Sequence, residues 1–175
     1  ALLNFLVARI HAIDPDVICG HNVVGYDVDM LLHRMQHHRI PNWSKISRLK
    51  RDRIPKLQSR IENTWIERAV SCGRLLLDTC QSARELVREK SYSLEELART
   101  QLGVQKECID IQDTPSYLST SDGVCHLANV SLNDAKLALK LSFKLQMLPL
   151  TKQLTCLSGN LWARSMRGQR AERVE

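Results

Sequence analysis

The chain has 175 residues, with 25 lysines and arginines against 19 aspartates and glutamates, a formal charge of +6. A composition of 43% hydrophobic and 25% charged residues suits one globular domain of ordinary size and excludes wholesale disorder. No apolar run approaches the ~20 residues that cross a bilayer, so no membrane partner is expected, and the apolar opening lacks the basic leader and cleavage site of a signal peptide.

Leu3, Leu6, Val7 and Ile10 fall at i, i+3, i+4 and i+7, which predicts a helix from Ala1 to Ile13. Asp14-Pro15 ends it, because the residue before proline is pushed out of the helical region. Val17-Ile18-Cys19, bounded by Gly20, suits a short buried strand. Asp27 then opens a helix with Val28, Leu31, Leu32 and Met35 on one face. Between Ser44 and Arg60 lie seven basic residues (Lys45, Arg48, Lys50, Arg51, Arg53, Lys56 and Arg60) and one acid, Asp52, leaving 18 charges of each sign elsewhere. This stretch therefore supplies the whole imbalance. Ile46, Leu49, Ile54 and Leu57 interrupt it, which predicts a loop or short hairpin pinned by its apolar residues. Either it contacts phosphates, with salt-dependent affinity, or it is a solvated surface loop.

Arg74 to Asp78 reads as a second buried strand, followed by a helix through Ala83 to Val87. Ser93 and Glu96 form a capping box for a helix that Gly103 terminates. Asp110 to Gly123 reads as a polar loop, and Ser131 to Leu148 as the longest helix, closed or kinked by Pro149. A last helical pattern runs from Leu150 through Trp162 to Met166. Alternating strands and helices mean an α/β fold, yet two strands are too few for a stable sheet. The other strands are expected upstream of Ala1. With a first residue other than Met and a charged, uncapped end at Glu175, the chain reads as an internal piece of a longer protein. Its six cysteines form no C-x-x-C pair, so reduced thiols are expected rather than a zinc module or a disulfide framework.

The most specific local pattern is Gly20-His21-Asn22-Val23-Val24-Gly25-Tyr26-Asp27. A strand, an Asn-bearing loop, an aromatic and an Asp can present Asp27 at the carboxyl end of a sheet, where α/β ligand sites form. A carboxylate there suits Mg²⁺, and equally it can cap the helix. Asp134 is a second candidate, with Ser131-x-x-Asp134 as an alternative capping-box variant. Asp78 is a third acid at a strand end, with no evident partner. His33 and His37, four apart, read as a surface cluster.

GHNVVGYDVDMLLHR resembles the second exonuclease motif of family B DNA polymerases: Asn, a short spacer, Phe or Tyr, then Asp. The segments NWSKISRLKRDRIPKL and SCGRLLLDTCQSARELVREKSYSLEEL are most similar to one member, which extends RNA–DNA primers made by a primase. NDAKLALKLSFKLQMLPL and the closing LSGNLWARSMRGQRAERVE resemble the last exonuclease-domain helix and the approach to the palm, with Val174 departing from the usual Asn. The resemblance implies an incomplete ribonuclease H-like 3′–5′ exonuclease fold over residues 1–148, with 149–175 starting the connection to the palm.

It also places Asp27 on the second-motif acid and Asp134 on the third-motif acid, vestigial metal positions in a family that uses two metal ions. The first motif, Asp-x-Glu, would precede Ala1. The third motif normally carries a Tyr four residues before its Asp to orient the attacking water, where this chain has Val130. The expectation is an inactive exonuclease-like domain in a nuclear replicative polymerase. Lys45, Arg48, Lys50, Arg51, Arg53, Lys56 and Arg60 would contact DNA or an RNA–DNA primer-template. Primase and accessory subunits are the implied protein partners, and the Mg²⁺ of nucleotidyl transfer would lie on palm aspartates outside this chain. The rivals are a live proofreading exonuclease of another family B polymerase and a pure binding scaffold.

Overall fold

A computed structural model describes residues 1–54 and 70–166. The chain forms two compact units, Ala1–Asp78 and Thr79–Glu175.

The first unit begins with helix α1 (Leu2–Ile13). Asp14 ends it in the left-handed region (φ 48°), its N–H bonding back to the Ile10 carbonyl. Strand β1 (Val17–Gly20) pairs in parallel with β2 (Leu75–Asp78), in a register that sets Val17 opposite Leu75 and Gly20 opposite Asp78. Between the strands come a π-helical turn (Val23–Asp27), α2 (Val28–His37) and a 3₁₀ turn (Trp43–Ile46). Val7 of α1, with Leu3 and Ile10 beside it, packs onto Val28, Leu32 and Met35 of α2 and onto Ile40, Trp43, Ile46 and Val70. The helix faces follow the expected spacing. The strands do so less well: β1 is half-buried along its length, and only Leu77 and Asp78 of β2 are buried. Among the described residues the sheet has two strands, each with one open edge.

The second unit is helical: α3 (Thr79–Leu86), α4 (Leu94–Leu97) running into a π-helical turn (Ala98–Leu102), α5 (Thr114–Leu118), α6 (Ser121–Lys144), α7 (Met147–Ser158) and α8 (Trp162–Ser165). Its core sets Ala83, Leu97 and Leu141 among Val87, Tyr92, Leu94, Leu102 and Leu145. Ser93 accepts from the Glu96 N–H at 3.3 Å, and Gly103 caps the helical run at φ 68°, both as expected. The Glu96 carboxylate turns to Arg99 (2.6 Å) instead of closing the reciprocal half of the box.

Four expectations fail here. The polar stretch after Asp110 is not all loop, since α5 occupies part of it and α6 starts at Ser121. The Thr120 hydroxyl, accepting from the Gly123 N–H at 3.1 Å, supplies the true N-cap, eleven residues before the expected start at Ser131. Pro149 neither closes nor kinks the long helix. That helix ends at Lys144, Gln146 takes φ 47°, and Pro149 sits in the first turn of α7, where a missing N–H costs nothing. The final helical pattern divides at Gly159, which is left-handed at φ 67°.

Among the described residues, which include all six cysteines, there is no disulfide. No described helix is long and apolar enough to cross a membrane.

Candidate functional site

The motif loop lies at the carboxyl ends of the two strands. Asn22 follows β1 in the left-handed region (φ 58°), a conformation Asn tolerates better than most residues. Its carbonyl accepts from the Tyr26 N–H at 3.0 Å, closing the turn. A Cβ on Gly25 would stand 2.5 Å from the Asn22 Oδ1, so only glycine lets the Asn22 side chain lie over this turn.

Asp78, 7% exposed at the end of β2, holds the loop. Its Oδ1 accepts from the Asn22 N–H at 3.0 Å and its Oδ2 from the Val24 N–H at 3.2 Å. Sequence reasoning saw no partner for this acid. The partners are backbone amides more than 50 residues away, brought close by the Gly20–Asp78 register.

Asp27 does not cap α2. It has helical dihedrals (φ −66°, ψ −45°), makes no side-chain cap bond, and lies within a continuous helical run from Val23. It keeps solvent contact. Partial burial, and then the negative charge of Asp78, push its carboxyl above its ordinary pKa. The two acids thus form an asymmetric pair, one spent on backbone amides and one facing its neighbour's charge.

Asp134 belongs to the second unit and lies in the interior of α6, so the capping-box alternative is excluded. Its Oδ2 is 3.1 Å from the Lys106 Nζ. Val130, one turn earlier, is 9% exposed and belongs to the buried face. His33 and His37 lie on the surface of α2, His33 bonded to the Asp29 carbonyl at 2.9 Å.

These residues do not fit a two-metal nuclease centre by themselves. Among the described residues, no three Asp, Glu, His or Cys side chains converge. Asp78 spends its oxygens on N–H groups, and Asp134 faces an ammonium.

The basic segment is anchored differently from the expectation. Ile46 is buried and Ile54 packs on the core, but Leu49 is half exposed and anchors nothing. Arg48 does the anchoring. Its N–H donates to the Cys72 carbonyl, and its guanidinium donates to the Asp14 Oδ1 (2.9 Å), Asp14 carbonyl (3.1 Å), Asp16 Oδ1 (2.7 Å) and Gly73 carbonyl (3.0 Å). Arg74, 4% exposed, donates to the same Asp14 Oδ1 (2.7 Å), to the Ile46 carbonyl (2.9 Å) and to the Pro15 carbonyl. Arg48 first, then Arg74, hold the Asp14 carboxyl below its ordinary pKa. Arg51 is half-buried, with its Nη2 3.5 Å from the Cys72 Sγ. Lys45, Lys50 and Arg53 are exposed, while Lys56, Leu57 and Arg60 lie outside the described residues.

Residues 1–97 match the family described as DNA polymerase family B, exonuclease domain. The chain is 44% identical to the DNA polymerase alpha catalytic subunit of Oryza sativa subsp. japonica, with all of this chain and 12% of that protein aligned. It is 42% identical to the Arabidopsis thaliana protein of the same name (100% of this chain, 12% of that one) and 40% identical to that of Xenopus laevis (99% and 12%). The chain thus spans about an eighth of the length of these relatives.

Proposed function

Because this chain belongs to the exonuclease domain of family B DNA polymerases, we propose that it is the exonuclease-like part of an alpha-type replicative polymerase. The whole enzyme would be a nuclear DNA-directed DNA polymerase that extends RNA–DNA primers in concert with primase and accessory subunits. Nucleotidyl transfer would use Mg²⁺ on palm aspartates outside this chain. Residues 1–148 would form an incomplete ribonuclease H-like domain, and 149–175 would begin the connection to the palm. In this reading the segment does no hydrolysis and contributes contacts to the primer-template through its basic loop.

One observation carries the inactive assignment: the third-motif acid, Asp134, faces Lys106 at 3.1 Å. A tethered ammonium occupies that carboxylate where a nuclease would need it for a metal. Val130 supports the same reading, since its buried isopropyl group cannot hydrogen-bond a water. The rival, a live 3′→5′ proofreading exonuclease, draws on the retained Asp27, which caps nothing.

The test is a labelled, 3′-mismatched primer incubated with the full-length polymerase and Mg²⁺. The expected rate of shortening equals that of the Asp27→Ala/Asp134→Ala double variant. Shortening that disappears in the double variant would establish the rival.

A further inference from the structure

The basic segment is not a uniform set of cations, and we infer that it divides into one anchor and three phosphate contacts. Arg48 is the anchor, a positioning residue that holds the loop to the strand entrances. Lys45, Lys50 and Arg53 form the surface that meets a nucleic-acid backbone. The division rests on the reading above that this loop contacts nucleic acid.

Arg48 has four side-chain hydrogen bonds to acceptors within its own unit, two of them to the carboxylates of Asp14 and Asp16. Its charge is matched, and the donors that would grip a phosphate are directed at acceptors on either side of the Asp14 turn and at Gly73. Gly73 is shaped for this contact. It takes φ 80°, which other residues rarely adopt, and a Cβ there would stand 2.8 Å from the Arg48 Cβ. Arg74 completes the anchor from beneath by sharing the Asp14 Oδ1 and reaching the Ile46 carbonyl at the root of the loop. Inside the loop, the Ser47 hydroxyl donates to the Ser44 or the Leu49 carbonyl, each 2.8 Å away. The backbone from Ser44 to Leu49 is thereby held before any partner arrives.

Lys45, Lys50 and Arg53 show the opposite character. All three are exposed, and none makes an ion pair with another described residue. Cations displayed on a preorganised backbone can neutralise phosphates without the entropic cost of ordering a tail. Arg51 stands apart from them because it is half-buried against Cys72.

The experiment measures primer-template affinity of the full-length polymerase by fluorescence anisotropy over a KCl series, alongside thermal unfolding and amide hydrogen exchange. The Lys45→Gln/Lys50→Gln/Arg53→Gln variant is expected to lower the slope of log K against log salt by about two to three, at 0.7–0.9 per phosphate. Its unfolding and exchange should be unchanged. Arg48→Lys keeps the charge but cannot reproduce the planar fork. It should speed exchange at the Arg48 amide, which donates to Cys72, and destabilise the unit as much as Arg48→Ala, while the salt slope stays near its natural value. Arg48→Lys with natural exchange and stability, combined with Arg48→Ala losing about one from the slope, overturns the anchor assignment and makes Arg48 a fourth contact. A triple variant with an unaltered slope overturns the contact set, whatever Arg48→Lys does, and a slope that stays unaltered when Arg51, Lys56 and Arg60 are also changed to Gln overturns the nucleic-acid reading itself.

Discussion

Asp78→Asn tests whether the motif loop is held by charge-assisted bonds to backbone amides. Asparagine has the same shape but only one acceptor oxygen. One of the two amides, Asn22 or Val24, now at 3.0 and 3.2 Å from carboxylate oxygens, would then face an NH₂ group. A hydrogen bond to a charged group contributes about 1.5–3 kcal/mol. Against that loss stands the relief of Asp27, whose carboxyl is raised by burial first and by the Asp78 charge only second. The relief is the smaller effect, so a net destabilisation of about 1–2 kcal/mol is expected. With a urea slope of roughly 1–3 kcal/mol per molar, the unfolding midpoint falls by about 1 M.

The companion readout is the titration of the Asp27 carboxyl by NMR. A raised folded-state pKa means that Asp27 contributes stability below its ordinary pKa of about 3.9, lost as pH rises through the folded value. Asp78→Asn should lower the Asp27 pKa but leave it above the ordinary value, because burial persists. An unchanged Asp27 titration would show that the two carboxylates do not interact. An unfolding midpoint equal to or above the natural one would show that the amide bonds do not hold the loop. Either result refutes the reasoning.

Asp27→Asn should stabilise the chain at neutral pH, and the gain should vanish as the pH falls below about 3.9, where the natural residue is also neutral; urea unfolding at several pH values checks this. Arg74→Met should cost about 1–3 kcal/mol in the same assay, because it leaves the Ile46 and Pro15 carbonyls without their donor, while Asp14 is exposed and keeps Arg48. Val130→Tyr should cost about 1–3 kcal/mol by overpacking the buried face of α6. It should release no nucleotide from a labelled mismatched primer in the full-length polymerase, since Asp134 still faces Lys106.

Periodicity located the helix faces of α1 and α2, because Leu3, Val7 and Ile10 on the one and Val28, Leu32 and Met35 on the other repeat at helical spacing within a few residues of chain. The capping of α4 by Ser93 was equally local. What escaped was either a better local signal nearby or a contact between distant residues. Thr120 outcompetes Ser131 as a helix start because α6 continues upstream through Cys125 and Val130 without a break. No spacing rule joins Arg48 to Asp14, 34 residues away, or Asp78 to Asn22, 56 away. A run of basic residues also reads alike whether its guanidinium groups face solvent or carboxylates. Here the difference between Arg48 and Lys50 is made by Asp14 and Asp16 at the foot of β1.

The Asn22–Asp27 motif separates, residue by residue, into what the fold needs and what only chemistry would need. Asn22 supplies a left-handed turn and Gly25 the room for its side chain. Asp78, outside the motif, fixes both ends of the Asn22–Val24 segment through their amides. These three residues hold the turn whether or not a metal ever binds. Tyr26 is 58% exposed, and Asp27 caps nothing while lying under the charge of Asp78. The fold gains nothing visible from either side chain. A match to this motif therefore reports the strand–turn–helix geometry first. In the function proposed above, activity would be decided elsewhere, at Asp134, whose carboxylate lies 3.1 Å from the Lys106 ammonium.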